Sequence, residues 1–308
     1  MDTPKKEQRP LALTCGDPAG IGPEIIARWL EKNPHETETL VAIGPRTWLD
    51  TLPCRGIAVG TEDFVAEPGK PNAAGQHVAL EAMERAASGT LAGEFSGVVT
   101  APVNKAGLQS IGYRFPGQTE FFASRWSGTP VMAFAGEKMR VVLATWHIPL
   151  REVPEALTET ALGNAVRAAN FLARKFVGDR LPRIGICGLN PHAGENGILG
   201  LEERERLNPI LNKLRKTFPG VSDCIPADTI FLRHLRGEFD TIVSLYHDQA
   251  LAPLKTLEFD SAVNVSLGLR HIRTSPDHGT AYDIAGKGTA RPDSFGHAVR
   301  VARLLCGS

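Results

Sequence analysis

Short apolar runs alternate with stretches of helical periodicity along most of the chain. Continuous runs of aliphatic and β-branched residues are typical of buried strands, and apolar residues at helical spacing are typical of amphipathic helices. The alternation predicts βα units and therefore an α/β fold with a mostly parallel sheet. The predicted strands are 11–15, 40–44, 97–101, 140–145, 183–188 and 241–246. The predicted helices are Pro23–Leu30, Gly75–Ala87, Val153–Phe176 and Glu202–Thr217, the last with a kink or restart at Pro209.

Length and composition narrow the class of protein. A chain of 308 residues is long enough for one large domain, and it favours two α/β lobes with cores of their own. The 34 basic and 34 acidic residues cancel, so no overall field favours nucleic acid or an anionic membrane as a partner, and no apolar run is long enough to span a membrane. Five widely spaced cysteines without a C-x-x-C pair predict free thiols in a reducing cytoplasm. The first ten residues are predicted to form a loose tail.

Three predicted strands are each followed by a histidine. The runs RVVLATWH, RIGICGLNPH and TIVSLYH end at His147, His192 and His247. Ligands of open α/β sheets bind at the carboxyl edge of the strands, and three imidazoles at that edge can converge. Three histidines are typical of a catalytic divalent-cation site with open coordination positions. A single histidine after a strand is more often a hydrogen-bonded loop residue, so the spacing alone leaves both interpretations open.

Polar and basic residues follow the third histidine. Asp248 comes directly after His247, and Lys255, Asn264 and Arg273 lie further along. Lysine, asparagine and arginine are donors that suit phosphate or carboxylate, and arginine can bind two oxygens at once. Each of them taken singly is an ordinary surface residue. Together with a metal site they predict a small, charged, oxygen-rich substrate.

Two glycine-rich segments carry weaker signals. TCGDPAGIGPE (14–24) lies between a predicted strand and a predicted helix, as a phosphate-binding turn would, but its spacing matches neither common nucleotide-binding pattern. A tight turn that opens a helix explains its glycines equally well. DHGTAYDIAGKGTARPDS (277–294) is a glycine-rich loop with several polar residues, and by itself it could be a surface turn.

Six segments in order resemble the 4-hydroxythreonine-4-phosphate dehydrogenase (PdxA) family. The resemblance runs from about residue 14 to about residue 295, and the segments are GDPAGIGPE, TAPVNKAGL, PGQTEFFA, CGLNPHAGENG, YHDQALAPLK and AVNVSLGLRHIRTSPDHGTAYDIAGKG. It implies an isocitrate/isopropylmalate dehydrogenase-like fold of two α/β/α lobes with the active-site cleft between them. By analogy, residues 1–135 plus 248–308 form the coenzyme-side lobe, and residues 136–247 form the metal- and dimerisation-side lobe.

The resemblance also implies roles for individual residues. The family's metal ligands correspond to His147, His192 and His247, with zinc, magnesium, manganese or cobalt as the cation. The implied substrate contacts are Gln118, Thr119, Lys255, Asn264 and Arg273. Two positions depart from the family pattern. Gln118 replaces a histidine and cannot take a positive charge, and Trp146 replaces a small polar residue.

The loop that begins at His278 resembles the coenzyme-adenine loop of isopropylmalate and isocitrate dehydrogenases. It implies NAD or NADP as the coenzyme, with contacts at His278, Gly279, Thr280 and Asp283. Asp248 and Lys255 are the candidate catalytic residues. Asp248 is either the general base or a residue that orients a histidine ligand. The resemblance further implies a homodimer whose active site is shared between subunits.

The implied reaction is NAD-dependent oxidation of 4-phosphohydroxy-L-threonine to 2-amino-3-oxo-4-phosphooxybutanoate. That product decarboxylates to 3-amino-2-oxopropyl phosphate, a step of pyridoxal 5'-phosphate biosynthesis. A related dehydrogenase for phospho-threonate or phospho-erythronate is the nearest alternative, because of Gln118. A metal-dependent phosphoester hydrolase would use the same three histidines and anion clamp. A non-catalytic anion-binding module accounts least well for imidazoles beside a coenzyme loop.

Overall fold

The computed structural model describes residues 9–307, so residues 1–8 of the predicted tail lie outside the described residues. The described residues contain eleven strands and eleven α-helices. The strands are β1 (Leu11–Thr14), β2 (Leu40–Gly44), β3 (Arg55–Ala58), β4 (Gly97–Thr100), β5 (Gly128–Ala135), β6 (Arg140–Leu143), β7 (Ile184–Cys187), β8 (Val221–Ile225), β9 (Thr241–Ser244), β10 (Val263–Leu269) and β11 (Arg273–Pro276). The helices are α1 (Gly22–Lys32), α2 (Arg46–Leu49), α3 (Ala73–Leu91), α4 (Lys105–Ser110), α5 (Gln118–Ala123), α6 (Val153–Ala156), α7 (Glu159–Val177), α8 (Asn208–Leu214), α9 (Ala227–Leu235), α10 (His247–Glu258) and α11 (Asp293–Cys306).

Packing divides the described chain into two units. The first unit comprises the described residues up to Gly128, Val263–Val265 and the described residues from Leu269 onward, and the second comprises Thr129–Ala262 and Ser266–Gly268. The sequence-based borders, at 136 and 247, differ from these at both ends of the middle segment. The division into a coenzyme-side lobe and a metal-side lobe stays a prediction.

The first unit is built on parallel strands. Its strand order is β3-β2-β1-β4-β11, and each neighbouring pair runs in parallel. Every residue of β1, β2, β4 and β11 is buried, because helices cover these strands: α3 packs on β1, β2 and β4, and α11 packs on β4 and β11. Helix α1 begins with Pro23 in its first turn and buries Ile25, Ile26, Trp29 and Leu30, the face that the periodicity predicts.

The second unit has the strand order β5-β6-β9-β7-β8. Strands β5 and β6 pair in antiparallel fashion, and the remaining neighbours are parallel. Helix α7 packs against β6, β7 and β9. All six predicted strands are present within one or two residues of their predicted ends, which confirms the α/β class with mostly parallel strands.

The structure departs from the predicted helix over 153–176 and agrees with the interruption predicted at Pro209. A continuous helix over 153–176 is wrong, because α6 ends at Ala156 and α7 starts anew at Glu159. The Thr158 Oγ1 atom accepts a hydrogen bond from the Ala161 amide at 3.1 Å, so Thr158 caps the second helix. The kink or restart predicted at Pro209 has a counterpart in a change of helix type, since a π-helical turn over Glu203–Leu207 precedes α8, which carries Pro209 in its first turn.

Two general expectations also have structural counterparts. All five cysteines are free thiols. Within residues 9–307, none of the helices combines the length and the apolar character that crossing a membrane requires.

Candidate active site

The three histidines singled out by the sequence follow three neighbouring strands of the second unit. β9 lies between β6 and β7, and all three run in parallel, with Leu143 paired to Ser244 and Ile186 paired to Val243. His147 follows β6, His247 follows β9 and His192 follows β7. The histidines therefore leave the sheet at one and the same edge, the edge at which parallel strands present their loops.

Two of these histidines lie next to each other. The ring centroids of His147 and His247 are 5.6 Å apart, with the ring planes at 40°. Two imidazoles bound to one tetrahedral cation, with metal–nitrogen distances of about 2.0–2.1 Å, have centroids roughly 5 Å apart. His147 also has a left-handed backbone, with φ of 50°, which a non-glycine residue adopts at some cost. The spacing of this pair fits a shared divalent cation.

His192 is not brought into the same cluster. It lies in a turn in which residues 192–196 all have positive φ, and its side chain is 63% exposed. Across residues 9–307, no three histidine, cysteine, aspartate or glutamate side chains lie close enough together to hold a metal ion. The structure thus places two of the predicted ligands together and the third on the neighbouring loop, and the three-ligand set stays a prediction.

Carboxylates contact the Nδ1 atoms of two of these histidines. His247 Nδ1 lies 2.6 Å from Asp248 Oδ1, and His192 Nδ1 lies 2.9 Å from Glu195 Oε2. A carboxylate at Nδ1 favours the tautomer with the proton on that nitrogen, which leaves Nε2 as the lone-pair donor for a metal. The Asp248 side chain is 86% exposed, so its contact with the neighbouring imidazole lies at the protein surface. This arrangement fits the orienting role considered for Asp248.

A neutral side chain ties the loops of β9 and β7 together. The buried Gln249 accepts a hydrogen bond from the Leu245 amide at 2.7 Å and donates one to the Gly188 carbonyl at 2.8 Å. The Thr145 hydroxyl similarly donates to the Leu245 carbonyl at 2.6 Å, which joins the ends of β6 and β9. The sequence analysis missed both residues, although Gln249 lies only two positions after His247, because an amide carries no charge or metal-binding signature.

Asp248 and Lys255, the candidate catalytic residues, lie on one helix. His247 opens α10, and Lys255 lies in its last turn. Lys255 lies seven positions after Asp248, nearly two full turns, so the two residues share a face and are about 10 Å apart along the helix axis. Lys255 is half-buried. Helix α10 therefore presents a carboxylate and an amine on one face, and the carboxylate lies next to His247.

The first unit contains a buried guanidinium with neutral partners. Arg273, in β11, is 4% exposed. Its Nε and Nη2 atoms donate to Thr100 Oγ1 at 3.0 and 2.8 Å, and Nη1 donates to Asn264 Oδ1 at 3.0 Å. Among the described residues no carboxylate forms an ion pair with Arg273. Burial lowers the pKa of Arg273 to about 10, so the group keeps its charge at neutral pH.

A buried guanidinium without a direct ion pair is a ready receptor for an anion, although the charge of Glu120 lies near enough to act on it. Thr100, the last residue of β4, holds the guanidinium from the adjoining strand. Sequence reasoning found Arg273 and Asn264 but missed Thr100, because a buried threonine in a strand resembles any other core residue. The pairing of β11 with β4 is what identifies it.

Gln118 and Thr119 lie beside the same end of β4. Gln118 opens α5, and its Nε2 atom lies 3.5 Å from the carbonyl oxygen of Ala101, the residue after Thr100. The Oε1 atom of Gln118 is buried without a hydrogen-bond partner, which leaves it to a ligand donor. Thr119 is buried. Four of the five predicted substrate contacts thus lie in the first unit, and Lys255 lies in the second.

The predicted coenzyme loop packs on α1 in the first unit. Glu24 accepts hydrogen bonds from the Gly286 amide at 2.9 Å and the Ala290 amide at 3.2 Å. The Thr280 carbonyl accepts from the Ile21 amide at 2.9 Å. His278 and Thr280 are partly exposed, and Gly279 and Asp283 are exposed. The polar residues proposed for the coenzyme are therefore accessible on a loop held by α1.

The segment 14–24 forms the turn between β1 and α1. Gly16 has φ of 70°, and a Cβ atom there would lie 2.3 Å from the Pro102 carbonyl oxygen. A Cβ atom at Gly22 would come equally close to the Cys15 carbonyl oxygen. The glycines are thus required by close backbone contacts, as the tight-turn interpretation holds.

Comparison with known proteins identifies relatives along nearly the whole chain. A curated relative named 4-hydroxythreonine-4-phosphate dehydrogenase, from Paracoccus denitrificans, is 41% identical over 320 residues, which cover 97% of this chain and 98% of that one. The crystal structure of 4-hydroxythreonine-4-phosphate dehydrogenase from Klebsiella pneumoniae superposes with a TM-score of 0.84 at 32% identity and covers 97% of this chain and 99% of that one. Isocitrate dehydrogenase from Methylococcus capsulatus shares the fold, with a TM-score of 0.52 at 14% identity over 97% of this chain and 85% of that one.

These relatives agree with the isocitrate dehydrogenase-like fold expected from the sequence. The family model described as pyridoxal phosphate biosynthetic protein PdxA matches residues 25–302. That span contains every predicted metal, substrate and coenzyme residue. With the matches in sequence and in structure, it establishes that this chain belongs to the PdxA family.

Proposed function

We propose that this protein is an NAD-dependent, divalent-metal-dependent dehydrogenase that oxidises 4-phosphohydroxy-L-threonine in pyridoxal 5'-phosphate biosynthesis. The observation that carries the proposal is the buried Arg273, whose hydrogen-bond partners are all neutral, in a chain whose relatives are 4-hydroxythreonine-4-phosphate dehydrogenases. A phosphorylated amino acid supplies an anion with which this guanidinium can form a direct ion pair. The alternatives based on phosphorylated sugar acids and on phosphoester hydrolysis have no support among the named relatives.

Phosphate binding is assigned to the first-unit cluster around Arg273. Thr100 fixes the guanidinium from one side and Asn264 from another, so the remaining N–H groups have a defined direction. Gln118 and Thr119, beside the end of β4, add uncharged hydrogen-bonding groups. Because Gln118 stays neutral at every pH, the charge that meets the phosphate in this cluster comes from Arg273.

Metal binding is assigned to the imidazoles at the sheet edge of the second unit. The 5.6 Å spacing of His147 and His247 fits a common cation, and the carboxylate contact of His247 leaves Nε2 to bind it. His192 is proposed to complete a site in a second copy of the chain. Its loop is exposed and continues into three exposed apolar side chains, Ile198, Leu199 and Leu201, a surface typical of a subunit interface.

The chemistry divides into two steps. In the first, the hydroxyl group at C3 loses a proton and C3 transfers a hydride to NAD, which gives the 3-oxo acid and NADH. In the second, the carbon–carboxylate bond breaks, carbon dioxide leaves, and a proton adds to give 3-amino-2-oxopropyl phosphate. A divalent cation, when bound, supplies Lewis-acid polarisation of the reacting oxygen in both steps.

The chain's own residues bind, orient and move protons in this scheme. Arg273, Asn264 and Gln118 hold the phosphate end, so that C3 is presented in a fixed orientation. Asp248 orients His247 through Nδ1. Lys255, on the same helical face as Asp248, is the proposed proton carrier and second contact to the substrate. His278, Thr280 and Asp283 are proposed to hold the adenine end of the coenzyme.

NADH formation at 340 nm tests the proposed activity, with purified protein, 4-phosphohydroxy-L-threonine and NAD. Activity is expected to disappear with a chelator and to return when zinc, magnesium, manganese or cobalt is added back. Phospho-threonate, phospho-erythronate and NADP serve as comparison substrates and coenzyme. Release of inorganic phosphate without any need for NAD would contradict the proposal and favour a hydrolase.

Subunit complementation tests the shared site. His192→Ala and His247→Ala are each expected to be inactive as pure proteins. Mixing them under conditions that exchange subunits is expected to restore about a quarter of wild-type activity, because half of the dimers are mixed and each mixed dimer has one intact site. A mixture no more active than its components would show that each chain builds its site alone, and would leave the proposed reaction untouched.

A further inference from the structure

Asp17 is a buried carboxylate in the turn after β1. It is 0% exposed. Its Oδ1 atom accepts a hydrogen bond from the Ala19 amide at 3.0 Å, and its Oδ2 atom accepts from Gln76 Nε2 at 2.6 Å and from the Tyr282 hydroxyl at 2.5 Å. Among the described residues no basic side chain forms an ion pair with it. A carboxylate in such a place requires full hydrogen bonding, because burial of an unpaired charge is costly.

The three donors come from three separate stretches of the first unit. Ala19 belongs to the glycine-rich turn, Gln76 to α3 and Tyr282 to the predicted coenzyme loop. A helix and two loops that are far apart in sequence thus meet at one carboxylate. The backbone of the turn is also held in place, because the Asp17 amide donates a hydrogen bond to the Pro102 carbonyl at 2.9 Å.

Tyr282 lies in the middle of the loop, between Thr280 and Asp283. Burial, and then the hydrogen bond to Asp17, raise the pKa of Tyr282 to about 12, so its hydroxyl keeps its proton and stays a donor at neutral pH. The contacts of Glu24 fix the later part of the loop, at Gly286 and Ala290. Tyr282 is therefore the side-chain anchor for the part that carries the proposed coenzyme contacts.

We propose that Asp17 is a positioning residue for the coenzyme: through the Tyr282 hydroxyl it holds the loop 277–290 in the conformation that binds NAD. The proposal rests on the assignment of this loop to the coenzyme in the proposed function. Asp17 itself needs no contact with the coenzyme, since Tyr282 and Gln76 occupy its Oδ2 atom and the Ala19 amide occupies Oδ1. Its carboxylate acts on affinity by lowering the number of conformations that the free loop visits.

Two substitutions test the positioning role of Asp17 without changing the proposed coenzyme contacts. Tyr282→Phe removes the single hydroxyl and keeps the ring, and Asp17→Asn keeps the shape but replaces one acceptor oxygen with a donor that opposes Gln76 or Tyr282. Each is expected to raise the dissociation constant for NADH about tenfold, the effect of losing one charge-assisted hydrogen bond. Turnover at saturating coenzyme is expected to fall far less than the affinity.

Thr90→Val is the matched control. Thr90 is buried in α3, and its hydroxyl donates to the Ala86 carbonyl at 2.7 Å, so the variant also removes one buried hydroxyl from the first unit. NADH affinity is measured by calorimetry, and loop order is measured by amide hydrogen exchange of the peptide that covers 277–290. The Asp17 and Tyr282 variants are expected to exchange faster in that peptide and to bind NADH more weakly, whereas Thr90→Val is expected to change neither.

His278→Ala distinguishes the two ways in which the proposal can fail. If His278→Ala weakens NADH binding but Tyr282→Phe does not, the loop binds the coenzyme and the positioning role of Asp17 is refuted. If the Tyr282 variant loosens the loop while neither variant alters NADH affinity, the coenzyme assignment of the loop is wrong, and the inference falls with it. Should Asp17→Asn fail to fold, Tyr282→Phe together with His278→Ala still decides between these outcomes.

Discussion

Replacement of Arg273 by methionine is expected to weaken phosphate binding strongly while it changes the free energy of unfolding little. The guanidinium is buried, its three hydrogen bonds go to neutral oxygens, and it has no direct ion pair, so a bound phosphate is its proposed partner. Loss of two charge-assisted hydrogen bonds to a phosphate corresponds to about 3–4 kcal/mol, or roughly 10²–10³-fold in affinity. Stability is expected to change little, by less than about 2 kcal/mol, because removal of a buried cation without a direct ion pair offsets the loss of a donor for Thr100 and Asn264.

Calorimetric titration with 4-phosphohydroxy-L-threonine and with inorganic phosphate measures the first effect, and urea unfolding without ligand measures the second. Arg270→Met is the matched control, because Arg270 is exposed and lies only three positions away. That variant removes the same charge from the chain without touching the cluster. If Arg273→Met bound the phosphorylated ligands within about threefold of the wild type, the guanidinium would not be the phosphate receptor.

Three further outcomes are expected from the scaffold. Gln249→Leu leaves two buried backbone groups unpaired and should lower the free energy of unfolding by about 2–4 kcal/mol in urea titrations, with weaker cobalt binding by absorption spectroscopy. Thr158→Ala removes the cap of α7 and should cost about 1 kcal/mol by the same assay. Burial raises the pKa of Asp240, but the hydrogen bonds from Arg180 and then from Arg183 outweigh burial and hold that pKa below its ordinary value. Its contribution is therefore complete above about pH 4 and is lost on further acidification, so the stability gap between wild type and Asp240→Asn should narrow as the pH falls from 5 towards 2.

Much of the fold follows from the apolar pattern. The six predicted strands are largely buried on both faces, and strands of that kind in parallel sheets appear in a sequence as continuous apolar runs. Five strands were not predicted. Two of them lack that pattern, since β3 is mostly exposed and β8 is only partly buried, but β5, β10 and the fully buried β11 were missed as well. The break between α6 and α7 was missed because apolar spacing continues through Leu157, while the interruption depends on the cap at Thr158.

The candidate site was predictable where residues carry distinctive chemistry. Histidine and arginine stand out in a sequence, so His147, His247 and Arg273 could be named before their surroundings were known. The residues that position these side chains are neutral and could not be identified from the sequence. They are Thr100, which accepts hydrogen bonds from Arg273, and Gln249, which joins two loops. The left-handed turn at His192 could not be foreseen either, since five successive residues with positive φ have no sequence signature.

Gln249 has a consequence for how acid would affect the enzyme. The amide that joins the ends of β7 and β9 has no proton to gain or lose near neutral pH, so its two hydrogen bonds to the backbone do not depend on pH. If acid released the proposed metal, protons would do so by competing for nitrogen lone pairs and not by distorting the sheet edge. Reversal should be immediate when the pH is restored, with no slow refolding phase.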